Sequence, residues 1–163
     1  MKTILLATDG SPSAKKATDA AIELAGALGA VLRIVSVWQV PVYDYGYVPL
    51  QYAPELVDAQ REGAGNAVEQ AVAAAKTAGV DVTSELRQGD ASDEICTAAE
   101  ETSADMIVLG AHGWGTVKRI LFGSVSTAVL HHAPCPVLIV RGDPEENERE
   151  TVGAGTASSG RRQ

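Results

Sequence analysis

Short apolar runs alternate with Ala-rich amphipathic stretches along almost all of this 163-residue chain, and that alternation leaves few architectures open. Residues 3–8 (TILLAT) are apolar nearly throughout and stop at Asp9-Gly10. That is the pattern of a strand covered on both faces. A helix follows, with Ser11 as N-cap and Pro12 at its first position. Ala14, Ala17, Ala21, Leu24, Ala25 and Leu28 fall on one side of it, and Gly29 is the stop.

The alternation then repeats. Residues 31–38 (VLRIVSVW) form a second strand, and Pro41, Gly46, Pro49 and Pro54 interrupt regular structure after it. A helix is predicted from about 54 to 78, rich in Ala (Ala67, Ala71, Ala74, Ala75) and ended by Gly79. Residues 80–87 alternate as a third, partly wet strand. Asp90 caps a helix that turns Ile95, Ala98 and Ala99 inward, and residues 106–109 (MIVL) make a buried strand ending at Gly110. After a glycine-containing loop, a short helix runs from Ser124 to His132, and residues 137–141 form the last strand. Strands separated by helices imply βαβ units, hence a doubly wound α/β fold with a parallel sheet and helices on both faces.

The length, with 45% hydrophobic residues, supports one well-buried core and not two, so residues 1–141 are read as one domain. Residues 142–163 turn polar and are expected to form a disordered tail. Lys and Arg number 13 against 21 Asp and Glu, and the net charge of −8 disfavours a nucleic-acid partner. The N-terminal apolar run is too short for a signal peptide or membrane span, which points to a cytoplasmic protein with no membrane role. Cys96 and Cys135 lack metal-ligand spacing and are expected to be buried free thiols. No residue set supplies a protein metal site.

The segment GAHGWGTVKRILFGS carries the chemistry. Gly110 follows a buried strand, where the missing Cβ lets the chain turn and a ligand approach closely. Gly123 and Ser124 open a helix, and the free N–H groups and macrodipole there favour an anion such as phosphate. Neither G-x-x-x-x-G-K-[ST] nor G-x-G-x-x-G is present, so the loop is not a Walker A loop or a dinucleotide fingerprint. Too little chain follows Ser124 for the second half of a Rossmann domain.

Gly110-x2-Gly113-x9-Gly123-Ser124 resembles the ATP-binding motif G-x2-G-x9-G-[ST] of the universal stress protein family, and the likeness runs along residues 2–141, including ILLATDGS and HHAPCPVLIVR. The resemblance implies the ATP-binding subgroup, a five-stranded parallel sheet in the order 3-2-1-4-5 of the adenine nucleotide alpha hydrolase-like kind, and a homodimer. It places Ala7 and Thr8 against the base through their backbone, Asp9 on the ribose or adenine edge, and Val37 on adenine. Gly110, His112, Gly113, Gly123, Ser124, Val125 and Ser126 would receive ribose and phosphates, with Lys118 and Arg119 adding charge. The implied ligand is ATP, with AMP and ADP as alternatives. Mg²⁺ or Mn²⁺ would be held mainly by phosphate oxygens and water.

Other readings of the same residues stay open. Asp9 also suits an Asp-Gly turn or a helix cap. His112 has no neighbouring nucleophile or carboxylate and reads as loop packing or a phosphate contact. His131 and His132 suit a helix C-terminus. Tyr43, Tyr45, Tyr47 and Tyr52 cluster between strand 2 and helix 2 as a lid, a surface or a dimer contact. In the implied order, Val137, Leu138, Ile139 and Val140 form an apolar edge strand, which predicts a homodimer built on it. No efficient catalytic group is evident, so the expected role is stress-linked nucleotide binding with at most slow ATP hydrolysis. A slow nucleotide hydrolase or adenylyl transferase and a nucleotide-stabilised scaffold are the alternatives.

Overall fold

A computed structural model of the protein describes residues 2–39, 54–114 and 122–141. Among these residues nine elements follow in strict alternation: β1 (Thr3–Ala7), α1 (Pro12–Leu28), β2 (Val31–Trp38), α2 (Pro54–Thr77), β3 (Val82–Gln88), α3 (Ala91–Glu101), β4 (Met106–Gly110), α4 (Ser124–His132) and β5 (Val137–Val140). The strands form one parallel sheet in the order β3-β2-β1-β4-β5. The order implied by the resemblance is therefore the observed one.

Strand alternation divides the core into two layers. Ile4, Leu6, Leu32, Ile34 and Val108 face Ala17, Ala21 and Ala25 of α1 and Val68, Ala71 and Ala75 of α2. Leu5, Ala7, Val35, Ile107 and Leu109 face Ile95, Ala98 and Ala99 of α3 and Val129 of α4. Alanines on the helices let them lie close to strands whose own side chains are large and branched. Each leucine or isoleucine of β1 removed from water contributes about 1.5–3 kcal/mol.

Local signals set most element ends. The Ser11 hydroxyl accepts from the Ala14 N–H, capping α1, and Gly29 closes that helix in the left-handed region at φ 60°. Asp90 caps α3 by accepting from the N–H groups of Ser92 and Asp93. At the edge of the sheet, Arg87 of β3 donates to Glu85, and to Glu94 and Glu101 of α3, tying that strand to the helix.

Three expectations are corrected. β3 begins at Val82, not residue 80, because Gly79 and Val80 donate back to Lys76 and Ala75 and finish α2. Leu28 is 47% exposed. A helix of 17 residues spans about 25 Å and a five-residue strand about 17 Å, so the last turn of α1 overhangs the sheet. Cys96 and Cys135 are free but only half-buried. Cys96 sits one step round α3 from the buried Ile95, and Cys135 lies in the turn before β5.

The expected tail at 142–163, the tyrosine segment, and Lys118 and Arg119 lie outside the described residues. No helix among the described residues is long and apolar enough to cross a membrane.

Candidate functional site

The chain leaves β1 toward the α1 face and leaves β4 toward the α4 face, so the carboxyl ends of these neighbouring strands open a crevice at the switch point of the sheet. A cleft of about 580 Å³ occupies it. Ala7, Thr8, Asp9 and Val37 line one side, and Gly110, His112 and Gly113 another. Gly123, Ser124, Val125 and Ser126 complete the wall opposite Asp9. Every residue predicted for the site and described in the structure thus lies on one cavity.

The floor is apolar. Val35, Ile95 and Leu109 join Ala7 and Val37 there, all from the core layer beneath α3 and α4. Polar groups stand above this floor, the usual division in a small-molecule cleft.

Asp9 is held in a turn. Its Oδ1 accepts from the Ser11 N–H at 3.0 Å, and Gly10 takes φ +76° to allow it. The Gly10 N–H donates in turn to the Thr8 hydroxyl at 3.3 Å. Asp9 therefore closes an Asp-Gly turn while also lining the cleft.

The glycines of the loop do different work. A Cβ on Gly110 would lie 2.6 Å from Ser13 Oγ and 2.8 Å from the Ala14 backbone nitrogen. Gly110 is thus the point where β4 and the first turn of α1 touch. Ser13 clamps the same contact, donating to the Val140 carbonyl at 3.2 Å and accepting from the His112 N–H at 3.4 Å. The Ser11 hydroxyl donates to the His112 carbonyl at 3.2 Å. A Cβ on Gly113 would instead stand 2.6 Å from Asp9 Oδ2, so this glycine brings the loop onto the carboxylate.

At the far wall, the expectation of a free Gly123 N–H is corrected, because it donates to the Ala111 carbonyl at 2.8 Å. The Ser126 hydroxyl, 2% exposed, is shared between the carbonyls of Ala111 and Gly123, each at 3.0 Å. These bonds fix the start of α4. No side chain caps that helix, and the first N–H to bond back is Thr127's, to Gly123 O at 3.0 Å. The N–H groups of Ser124, Val125 and Ser126 are left without helical partners at the cleft, where the helix dipole is positive.

Sequence reasoning missed Trp114, Val35, Ile95 and Leu109. The Trp114 indole is 64% exposed and donates to the Asp9 carbonyl at 2.9 Å, joining the glycine loop to the β1 turn. A lone aromatic between two glycines was the available signal. Val35, Ile95 and Leu109 carry none, since a cleft floor and a core have the same composition. Among the described residues, no group of three His, Cys, Asp or Glu is placed to hold a metal.

A parallel sheet with an apolar-floored cleft and an uncapped helix N-terminus at its switch point defines a doubly wound α/β protein with its cleft where such folds take ligands. The chain belongs to the universal stress protein family, whose model matches residues 1–141. It is 40% identical over 140 residues to a universal stress protein of Thermus aquaticus, covering 86% of this chain and 98% of that one. Among solved structures it is similar to the universal stress protein UspA from Lactobacillus plantarum, with 29% identity, a TM-score of 0.76, and 86% and 97% of the two chains covered. It is also similar to a universal stress protein in complex with cAMP, with 32% identity, a TM-score of 0.66, and 87% and 98% covered.

Proposed function

We propose that this protein binds an adenine nucleotide in the cleft, with ATP as the physiological ligand, and that occupancy serves a regulatory role in stress. The observation that carries the proposal is the meeting of an apolar floor, the Asp9 carboxylate and three unpartnered N–H groups of α4 in one cleft. Each part matches one part of a nucleotide. The adenine ring lies on Val37, Val35 and Ala7, and the ribose hydroxyls donate to Asp9. The phosphates lie against Gly113 and the N–H groups of Ser124, Val125 and Ser126. The similar universal stress protein in complex with cAMP supports adenine as the base.

The spacing Gly110-x2-Gly113-x9-Gly123-Ser124 supports membership of the ATP-binding subgroup. With no protein cage among the described residues, Mg²⁺ or Mn²⁺ would be carried by phosphate oxygens and water. Hydrolysis in this reading is at most slow, and binding is the activity. The open edge strand β5, half-buried at all four residues, supports a homodimer formed along it. The cytoplasm is the proposed compartment.

The test is to denature the purified protein, identify released nucleotide, and measure turnover of added ATP. Recovery or binding of an adenine nucleotide, with turnover well below about one per second, is expected. Absence of any adenine nucleotide binding refutes the proposal, and turnover above that rate makes the protein an enzyme.

A further inference from the structure

A second cleft opens on the other face of the sheet, between α1 and α2 at the carboxyl end of β2. Its volume, about 570 Å³, matches that of the first. Asp9, Val37 and Trp114 line both, so they form the ridge between them.

On this second cleft lies Ser36. Its side chain is 2% exposed, and its Oγ has no hydrogen-bond partner among the described residues. Strand alternation explains the placement, since Val35 and Val37 line the first cleft while Ser36 turns to the side of α1 and α2. A buried hydroxyl left unpaired costs about 1–3 kcal/mol, which an alanine of nearly the same size would avoid. A ligand that hydrogen-bonds the hydroxyl removes the cost.

The surrounding residues fit such a ligand. The α2 wall is small-chained, with Ala59, Gly63, Ala64 and Ala67 lining it, and a Cβ on Gly63 would meet open space. Lys15 stands exposed at the rim near the positive end of α1, with no ion pair among the described residues. Among the described residues lining the cleft, Asp9 is the one carboxylate. Lys15 is the one cation among the described residues there, and a single positive charge suits a ligand carrying one carboxylate.

We propose that this cleft is a second ligand site that takes a small hydroxycarboxylic acid, its carboxylate on Lys15 and its hydroxyl on Ser36 Oγ. The shared ridge couples it to the first cleft. Trp114 donates to the Asp9 carbonyl, so a ligand pressing on either side of that pair alters the affinity of the other, and the effect is reciprocal.

The test is an NMR titration of the ¹⁵N-labelled protein with L-lactate, with propionate as the probe lacking only the hydroxyl. Lactate is expected to shift the Ser36, Gly63, Ala64 and Ala67 amides saturably. Use of propionate, Lys15→Met and Ser36→Ala are each expected to weaken binding about tenfold. Gly63→Leu, which adds a good helix former in open space, is expected to abolish binding with the melting temperature kept. Ser36→Ala is also expected to leave the melting temperature unchanged or raised. No saturable shift in the wild-type protein, or equal affinity in Ser36→Ala, overturns the proposal. So does a loss of stability in Ser36→Ala, since the hydroxyl would then have a partner of its own. Nucleotide binding in the first cleft is read separately from the Ser124 and Val125 amides, so either reading can fail without the other.

Discussion

Gly110→Ala is expected to damage folding, whereas Gly113→Ala damages binding, although both glycines belong to one motif. The new Cβ at 110 would be 2.6 Å from Ser13 Oγ, 2.8 Å from the Ala14 nitrogen and 2.8 Å from the Ser13 carbonyl carbon. Two of these three atoms are backbone. They cannot retreat, because Ser13 is bonded to Val140 and His112, and Ser11 to His112. Prising α1 from β4 is overpacking with no soft neighbour, and about 3 kcal/mol is expected, the upper end of the usual range. For a domain of this size that lowers the melting temperature by about 10 °C. At 113 the close atom is the end of the Asp9 side chain, 2.6 Å away, and the next is 3.8 Å away. Rotation of the carboxylate relieves the clash for less than about 1 kcal/mol, but moves the ribose acceptor, so nucleotide affinity falls about tenfold. Urea unfolding and calorimetric melting give the stabilities, and isothermal titration at 15 °C with AMP gives the affinities. A Gly110→Ala protein that melts within about 2 °C of wild type refutes the reasoning.

Further outcomes follow from the same geometry. Trp114→Phe removes the indole bond to the Asp9 carbonyl and is expected to weaken AMP binding about threefold to tenfold without loss of stability, a result that titration of the two proteins checks. The Asp90 carboxyl is held below the usual carboxylate range, first by the Ser92 hydroxyl and then by the N–H of Asp93. Its contribution is therefore complete above the unfolded value of about 3.9 and lost as pH falls through the lower folded value. Asp90→Ala should cost about 1 kcal/mol at pH 7, and the difference from wild type should shrink in acid, as urea melts across that range will show. Burial pushes the Cys96 and Cys135 thiols up, so both should react slowly with a thiol reagent at pH 7 and rapidly once the protein is unfolded. Sedimentation at micromolar concentration should give a dimer, and a monomer there contradicts the proposal for β5.

The parts of the fold that sequence reading reached are those with local causes. Ser11, Pro12 and Gly29 mark α1 because caps are chemistry of adjacent residues, and Asp90 marks α3 in the same way. Strand order was not a local property and came from the resemblance. The site divides along the same line. Placing Asp9 and Gly113 at the site came from the resemblance, while the Asp9-Gly10 turn and the start of α4 were legible from their residue types. The contact of Gly110 with Ser13, 97 positions earlier, was not, because only the packed fold brings them together. Nor was the second cleft, since Ser36 within VLRIVSVW reads as one polar interruption of a strand. Leu28 shows the converse failure, where correct helical spacing placed a residue on a face that the sheet does not reach.

The most direct measurement compares adenosine with AMP in an NMR titration of the ¹⁵N-labelled protein. Both should shift the amides of Ala7 and Val37 on the floor. AMP alone should shift those of Ser124, Val125 and Ser126, as its phosphate takes up their unpartnered N–H groups. Binding of AMP that leaves these three amides unmoved, or no binding of either compound, contradicts the account.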